Sequence, residues 1–227
     1  MTGRLGIMGA RSFCFILIIY YSTVVRALGT DSGIKNPLKS AAAHKSRSAN
    51  SIQISSFGRL SGRFHQNKVL KELDVKIQTS GQFHINRPDS ENTIVHWNLE
   101  KPKKSQICID KEGLVIDAMT GAASGKKRMN FSEVGREAGD QIVSLTKLMT
   151  MDFRDAEKDF LIEKKGKVFI LKPINEKASF FESAELELNP EGFIKNIEIK
   201  EKSQDEINIQ FSGFKVSQSL KGEKCIF

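Results

Sequence analysis

From Phe64 onward, apolar and polar positions alternate in short runs. "IQTSGQFHI" puts Ile77, Thr79, Gly81, Phe83 and Ile85 on one parity and Gln78, Ser80, Gln82 and His84 on the other. That two-residue period is the mark of a strand with one buried and one wetted face. "IVHWNLE" repeats the pattern with Val95, Trp97 and Leu99, "SQICID" with Ile107 and Ile109, and "GLVIDAM" with Leu114, Ile116 and Ala118. Turn-forming clusters at "RPDSEN", "EKPKK" and "DKEG" separate the runs, which predicts an antiparallel meander joined by hairpins. The rhythm changes between Phe131 and Phe153, where Val134, Ala138, Ile142, Leu145 and Met149 recur at spacings of four, four, three and four. This predicts an amphipathic helix, with Ser132 as N-cap and Glu133 in the first turn to suit the helix dipole. Strands resume in "DFLIEKKGKVFILKPI", "ASFFESAELELNPEGFIKNIEIKEK" and "INIQFSGFKV", with glycine turns at "KKGK" and "NPEG". The expectation is one continuous twisted antiparallel sheet with a helix inserted midway and no repeat of fixed period.

Ahead of the clear alternation, "SGRFHQNKVLKEL" has apolar positions too sparse for a helix. Phe64 and Gln66 are expected on the first strand, followed by an irregular stretch from Lys68 to Leu73 and a hairpin partner starting near Val75. A sheet of this many strands has an apolar face that must be covered and curls into a barrel or half-barrel. Either it closes on its own side chains, or it keeps a hydrophobic hollow beneath a helical lid, and such a hollow is a ligand cavity.

The first 27 residues carry Arg4 and Arg11, an apolar run from Phe13 to Tyr21 and then "VVRA". This is the pattern of a secretory signal cut after Ala27, and the apolar run is shorter than the roughly 20 residues that span a bilayer. Residues 28–51, rich in Ser, Ala, Gly and Lys without apolar period, read as a flexible basic linker, leaving 52–227 as the folded domain. Charge changes with this division. Of the formal +8, three units belong to Arg4, Arg11 and Arg26 and a net three to residues 28–51, so the body carries only +2. A basic total that sits outside the folded body argues against nucleic acid as a partner. After processing, two cysteines remain, Cys108 and Cys225. In an exported protein they either pair or stand as a small strand residue and a near-terminal thiol.

Other candidate chemistry is thin. His65, His84 and His96 fall on the polar parity, and on three neighbouring strands they would meet on the outer face. With no carboxylate or cysteine completing a ligand spacing, they read as solvated strand histidines and no metal site is assigned. There is no Gly-x-Ser-x-Gly elbow and no electropositive setting for Cys108, so no catalytic residue is assigned and the chain is not read as an enzyme. Asp155 and Glu157 read as a solvated face. Gly125 to Arg128, "GKKR", reads as a loop before the helix with some capacity for anionic headgroups. "NFS" at Asn130 is a glycosylation acceptor only in a eukaryotic secretory route.

The ordered set Phe64, Gln66 and Lys68, then Gly81, Phe83, Arg87 and Pro88, then Trp97 and Pro102 resembles the LolA family of periplasmic lipoprotein carriers. "FILKP", "AELELNPEGFIKNIEIKE" and "INIQFSGFKV" before Phe227 extend the resemblance over roughly residues 57–227. It implies a mainly β, α+β fold: an unclosed antiparallel barrel or strongly curved sheet with a helical lid over a hydrophobic cavity. It also implies a monomeric, cofactor-free periplasmic carrier that takes acyl chains of a lipoprotein or related lipid from an inner-membrane donor complex toward an outer-membrane acceptor. The apolar positions that would line the cavity are Phe64, Phe83, Ile85, Trp97, Leu99, Ile107, Ile109, Leu114, Ile116, Ile142, Leu145 and Met149. The family's Arg-Pro arginine, here Arg87, is implied to latch the lid by reaching its backbone, a role that a guanidinium with several fixed donors suits. The segment "SANSIQISSFGRLSGRF" departs from the family, being rich in serine and glycine where the first lid helix is expected. The alternative reading of the same fold is a lipid-sensing or scaffold domain that binds a protein partner.

Overall fold

The computed structural model describes residues 52, 55–89, 91–118, 125–130, 148, 151, 153, 156–176, 179, 181–221 and 223–225. They form a single sheet of eleven strands: β1 (Arg59–Leu70), β2 (Val75–Asn86), β3 (Ile94–Lys101), β4 (Ser105–Ile109), β5 (Gly113–Ala118), β6 (Gly125–Asn130), β7 (Phe160–Lys165), β8 (Val168–Pro173), β9 (Phe181–Leu188), β10 (Ile194–Glu201) and β11 (Glu206–Ser217). The order across the sheet is β6-β5-β4-β3-β2-β1-β11-β10-β9-β8-β7. Every pairing is antiparallel. Two meanders, β1 to β6 and β7 to β11, are thus sewn together where β1 meets β11.

The sheet does not close, and its two free edges explain why. β6 exposes Lys126, Lys127 and Arg128, and β7 exposes Glu163, Lys164 and Lys165. Charged, short edge strands resist further pairing. Gly125 to Arg128, expected as a loop, is therefore a strand. Its side chains carry no apolar alternation because an edge strand needs none on the solvent side, and backbone pairing to β5 suffices.

β1 also outruns its expectation. The irregular stretch predicted from Lys68 begins only at Lys71, where a three-residue 3-10 turn ends on Asp74 with φ 49° and the chain re-enters β2. Lys68 and Val69 belong to the strand because they pair on both sides, Lys68 with Ile77 and with Ile207, and Leu70 continues it by pairing with Val75.

The apolar parity faces one interior. Leu60, Phe64, Phe83, Ile85, Trp97, Ile109, Leu171, Phe181, Ile197 and Ile207 all lie in a continuous core that runs across both meanders. Its centre is aromatic. Phe64 and Trp97 ring centroids are 4.4 Å apart edge to face, and Phe83 sits 5.3 Å from Phe211 and 6.1 Å from Trp97. Such pairs add about 0.5–1.5 kcal/mol each beyond burial.

Two glycines shape this centre. Gly81 lies between Phe64 and Leu99 in the register, beside a bulge at Ser80, and a Cβ there would stand 2.0 Å from the Asn98 carbonyl oxygen. Without a side chain at that position, Phe64 and Trp97 meet across β2. Gly213, with φ 63°, opens the β1–β11 ladder where the register shifts between Ser61 and Arg63, so the strand bends and turns Phe214 back onto the core.

The predicted helix and lid fall almost wholly outside the described residues, as do the expected signal and linker. Of residues 131–153, Leu148, Met151 and Phe153 are described; Leu148 is helical and all three are buried against the core.

Candidate functional site

The inward face of the open sheet changes chemistry along its length, and β1 and β2 show how. Inward positions on β1 run Leu60, Phe64, Gln66, Lys68, and on β2 they run Thr79, Gly81, Phe83, Ile85. The same two-residue period therefore delivers hydrocarbon at one end and polar groups at the other.

At the apolar end stands Arg87, directly after β2. Its backbone N–H donates to the Gly58 carbonyl at 2.7 Å, which fixes the entry to β1 against the exit from β2. Its guanidinium lies 4.1 Å above the Phe57 ring, and Nη2 donates to the Met151 carbonyl at 2.8 Å. Met151 itself bonds back to Leu148 at 3.4 Å and has φ 53°, as at the end of a helical turn. A cation against terminal carbonyls is favoured there. Arg87 is thus the tie between the sheet and the covering residues Leu148, Met151 and Phe153.

The middle holds most residues expected to face a ligand. Phe64, Phe83, Ile85, Trp97, Leu99, Ile107, Ile109 and Leu114 share the buried core, and Ile116 packs partly buried against it. Ile142, Leu145 and Met149 lie outside the described residues.

At the far end, Lys68 Nζ meets Glu201 Oε1 at 2.9 Å, both side chains more than nine-tenths buried, and Ser203 Oγ donates to the other Glu201 oxygen at 3.1 Å. Gln66 and Thr79, opposite each other in the register, are each 1% exposed. Among the described residues, two buried polar atoms of this interior have no hydrogen-bond partner, the Thr79 hydroxyl and the Trp97 indole nitrogen. The sequence reading had no place for this polar end. Its one available signal was parity, since Lys68 falls in step with Phe64 and Gln66.

The outer face carries the C-terminal strap. Cys108 on β4 is disulfide-bonded to Cys225, with Cα atoms 5.5 Å apart, and the bridge forms a small cluster with Ile94 and Val115. Asn86 clasps Leu220 with two hydrogen bonds, 2.8 Å to its carbonyl and 2.9 Å from its N–H. His84 and His96 pair directly across β2 and β3, whereas His65 lies opposite Ser80, so the three histidines do not converge. No group of three or more metal-binding side chains occurs among the described residues. A hollow of about 420 Å³ beside the strap is lined by charged and polar groups such as Asp89, Asp110, Arg128 and Glu223, a lining unsuited to an acyl chain.

His96 Nε2 lies 3.3 Å from a Glu223 oxygen and 3.7 Å from Cys108 Sγ. Burial, followed by the positive charge of Arg59, holds the His84 imidazole below its ordinary value of 6.5. Burial does the same to His96, and outweighs the opposing pull of Glu223. The folded state therefore takes up these protons at lower pH than the unfolded chain. The stability they contribute is present above about pH 6.5 and is lost as the pH falls through the depressed folded values. Thermal melts at about pH 5 and pH 7.5 are expected to show a lower midpoint at the acidic value. His84→Gln should narrow that gap, and identical gaps in both proteins would remove His84 from the effect.

Residues 55–224 match the family model of the outer membrane lipoprotein carrier protein LolA. No curated protein matches the chain by sequence. Among solved structures, the chain aligns with a Vibrio parahaemolyticus domain described as outer membrane lipoprotein-sorting, at 9% identity over 74% of this chain and 89% of that one, TM-score 0.43. It aligns with the MucA/MucB complex of Pseudomonas aeruginosa at 9% identity over 72% of this chain and 53% of that one, TM-score 0.41. A LolA superfamily protein from Nitrosomonas europaea aligns at 11% identity over 73% and 89%, TM-score 0.36.

Proposed function

The chain belongs to the LolA family, and from that premise we propose that it is a non-enzymatic, monomeric carrier of acylated ligands in the periplasm. It takes the acyl chains of a lipoprotein or related lipid into the interior of the half-barrel, receives them from an inner-membrane donor and passes them toward an outer-membrane acceptor. The observation that carries this reading is the continuous inward face of aromatic and aliphatic side chains on an open sheet, covered at one end by residues that Arg87 reaches through the Met151 carbonyl. Each methylene moved from water into such an interior gains about 0.8 kcal/mol. A carrier that also releases its load needs an empty state of nearly equal stability. A polar tie that forms when the cover is shut supplies that balance, because it stabilises the empty form without touching the ligand. The disulfide Cys108–Cys225 fits an oxidising compartment.

The test is Arg87→Leu, followed with a fluorescent fatty acid transferred to acceptor vesicles. A hydrogen bond from a charged donor is worth about 1.5–3 kcal/mol, so losing it should raise retention of the probe about tenfold or more. Unchanged affinity and release would remove the latch. Native mass spectrometry of the purified protein tests the carrier itself. A co-purifying acylated species is expected, and a consistently empty interior with a bound protein partner would favour the sensing or scaffold role.

A further inference from the structure

We propose that the Cys108–Cys225 bridge is a thiol–disulfide exchange site as well as a staple: a dithiol reductant attacks Cys225 from the hollow beside the strap, and His96 stabilises the Cys108 thiolate that leaves. The site is on the outer face, so it stands whatever the interior carries. The two sulfurs are not equivalent. Cys225 forms part of the wall of the 420 Å³ hollow and is 6% exposed, whereas Cys108, on β4, is 0% exposed and takes no part in that wall. A hollow of this size admits a cysteine side chain with its flanking backbone. An incoming thiolate therefore meets Cys225 first.

The other sulfur has a partner for its negative charge. His96 and Cys108 are opposite each other in the β3–β4 register, which brings His96 Nε2 to 3.7 Å from Cys108 Sγ. A proton on Nε2 has the Glu223 carboxylate at 3.3 Å while the bridge is closed, and the sulfur as a second acceptor once it becomes a thiolate. A histidine beside a sulfur favours its thiolate, and exchange is faster when the departing thiol is more acidic. The attack forms a bond between the reductant's sulfur and Cys225 and breaks the Cys225–Cys108 bond, whose electron pair stays on Cys108. The reductant's second thiolate then displaces Cys225. The reductant leaves as a disulfide, two electrons have passed to the protein, and the two thiol protons of the reductant end on Cys108 and Cys225. Opening frees residues 224 and 225 and uncovers Ile94 and Val115, while the clasp of Asn86 on Leu220 keeps the preceding part of the strap in place.

The test treats the oxidised, folded protein with glutathione, quenches at early times with N-ethylmaleimide and maps the modified peptides by mass spectrometry. The expected product carries glutathione on Cys225 and maleimide on Cys108, and forms at a rate proportional to the glutathione concentration. With dithiothreitol both cysteines should end alkylated. His96→Asn, which withdraws Nε2 from the sulfur, should slow both reactions about tenfold with an unchanged circular dichroism spectrum. Glutathione found mainly on Cys108, or divided evenly between the two, overturns the assignment of the attacked sulfur. A rate that does not depend on thiol concentration would mean that the strap must open before any thiol arrives, and overturns the site, as does a bridge that both reagents leave intact until denaturant is added. Reduction of folded His96→Asn at the native rate removes His96 from the step. The position of the adduct and the concentration dependence are read on the native protein, so they decide the matter even if that variant does not fold.

Discussion

Glu201→Ala is expected to cost about 3–5 kcal/mol of folding stability, because it leaves the ammonium of Lys68 buried without its counter-charge. The two side chains are only 2% and 7% exposed, so little solvent or salt reaches them. Hydration lost by the ammonium is replaced by the carboxylate at 2.9 Å, and Ser203 completes the shell of that carboxylate. In a chain of this size the loss corresponds to a midpoint lowered by roughly 6–20 °C, readable by circular dichroism. The reciprocal Lys68→Met strands the carboxylate and should cost a similar amount. The double replacement Lys68→Met with Glu201→Leu removes both charges and fills the space with hydrocarbon, so it should recover most of the native stability. By contrast, removing Glu100 from its solvent-screened pair with Arg63, whose side chains are 39% and 61% exposed, should leave the melting midpoint nearly unchanged. A shift for Glu201→Ala as small as for the Glu100 variant would mean that Lys68 is not buried with the pair in solution.

What the sequence made visible was whatever repeats along one strand. The alternation in "IQTSGQFHI" and "IVHWNLE" identifies inward positions that the sheet buries, including Thr79, Phe83, Ile85, Trp97 and Leu99. It works because each strand has one wet and one dry face. The alternation fails where that asymmetry is absent. β6 sits at an edge and exposes three cations, so it reads as a loop although its backbone is fully paired to β5. Lys68 fails for another reason. A charged residue is expected in water unless its partner is known, and Glu201 lies 133 residues away at the end of a strand on the other meander. Only the β1–β11 seam brings them together, and no local pattern encodes that seam. Arg87 shows the same limit. The resemblance assigned it a latch, whereas its contacts with Phe57 and the Met151 carbonyl come from elements that are separate in sequence and adjacent only in the fold.

Replacing Cys108 and Cys225 together by serine is expected to lower stability by about 2–4 kcal/mol. The bridge spans 117 residues of sequence, which is most of the folded domain. Its largest effect is therefore on the unfolded chain, whose ends it keeps within reach of each other, and a loop of this size lies at the upper end of that scale. On the native side the strap is also held by the paired hydrogen bonds of Asn86 with Leu220 and by the contact of Glu223 with His96. Those bonds remain after the replacement, so residues 218–221 and 223 should stay docked while 224 and 225 loosen and expose Ile94 and Val115 to hydrogen exchange. Urea denaturation with and without reductant reads the global cost: the native protein should lose stability on reduction, and the double-serine protein should be indifferent to it. Superimposable native curves in the two conditions would show that the bridge carries no stability. The bridge lies on the outer face, opposite the apolar interior, so the double-serine protein should bind a fluorescent fatty acid as the native one does wherever it is folded. A loss of binding in step with the loosened strap would mean instead that the curvature of β2, β3 and β4, and through it the shape of the interior, is set from outside by the strap.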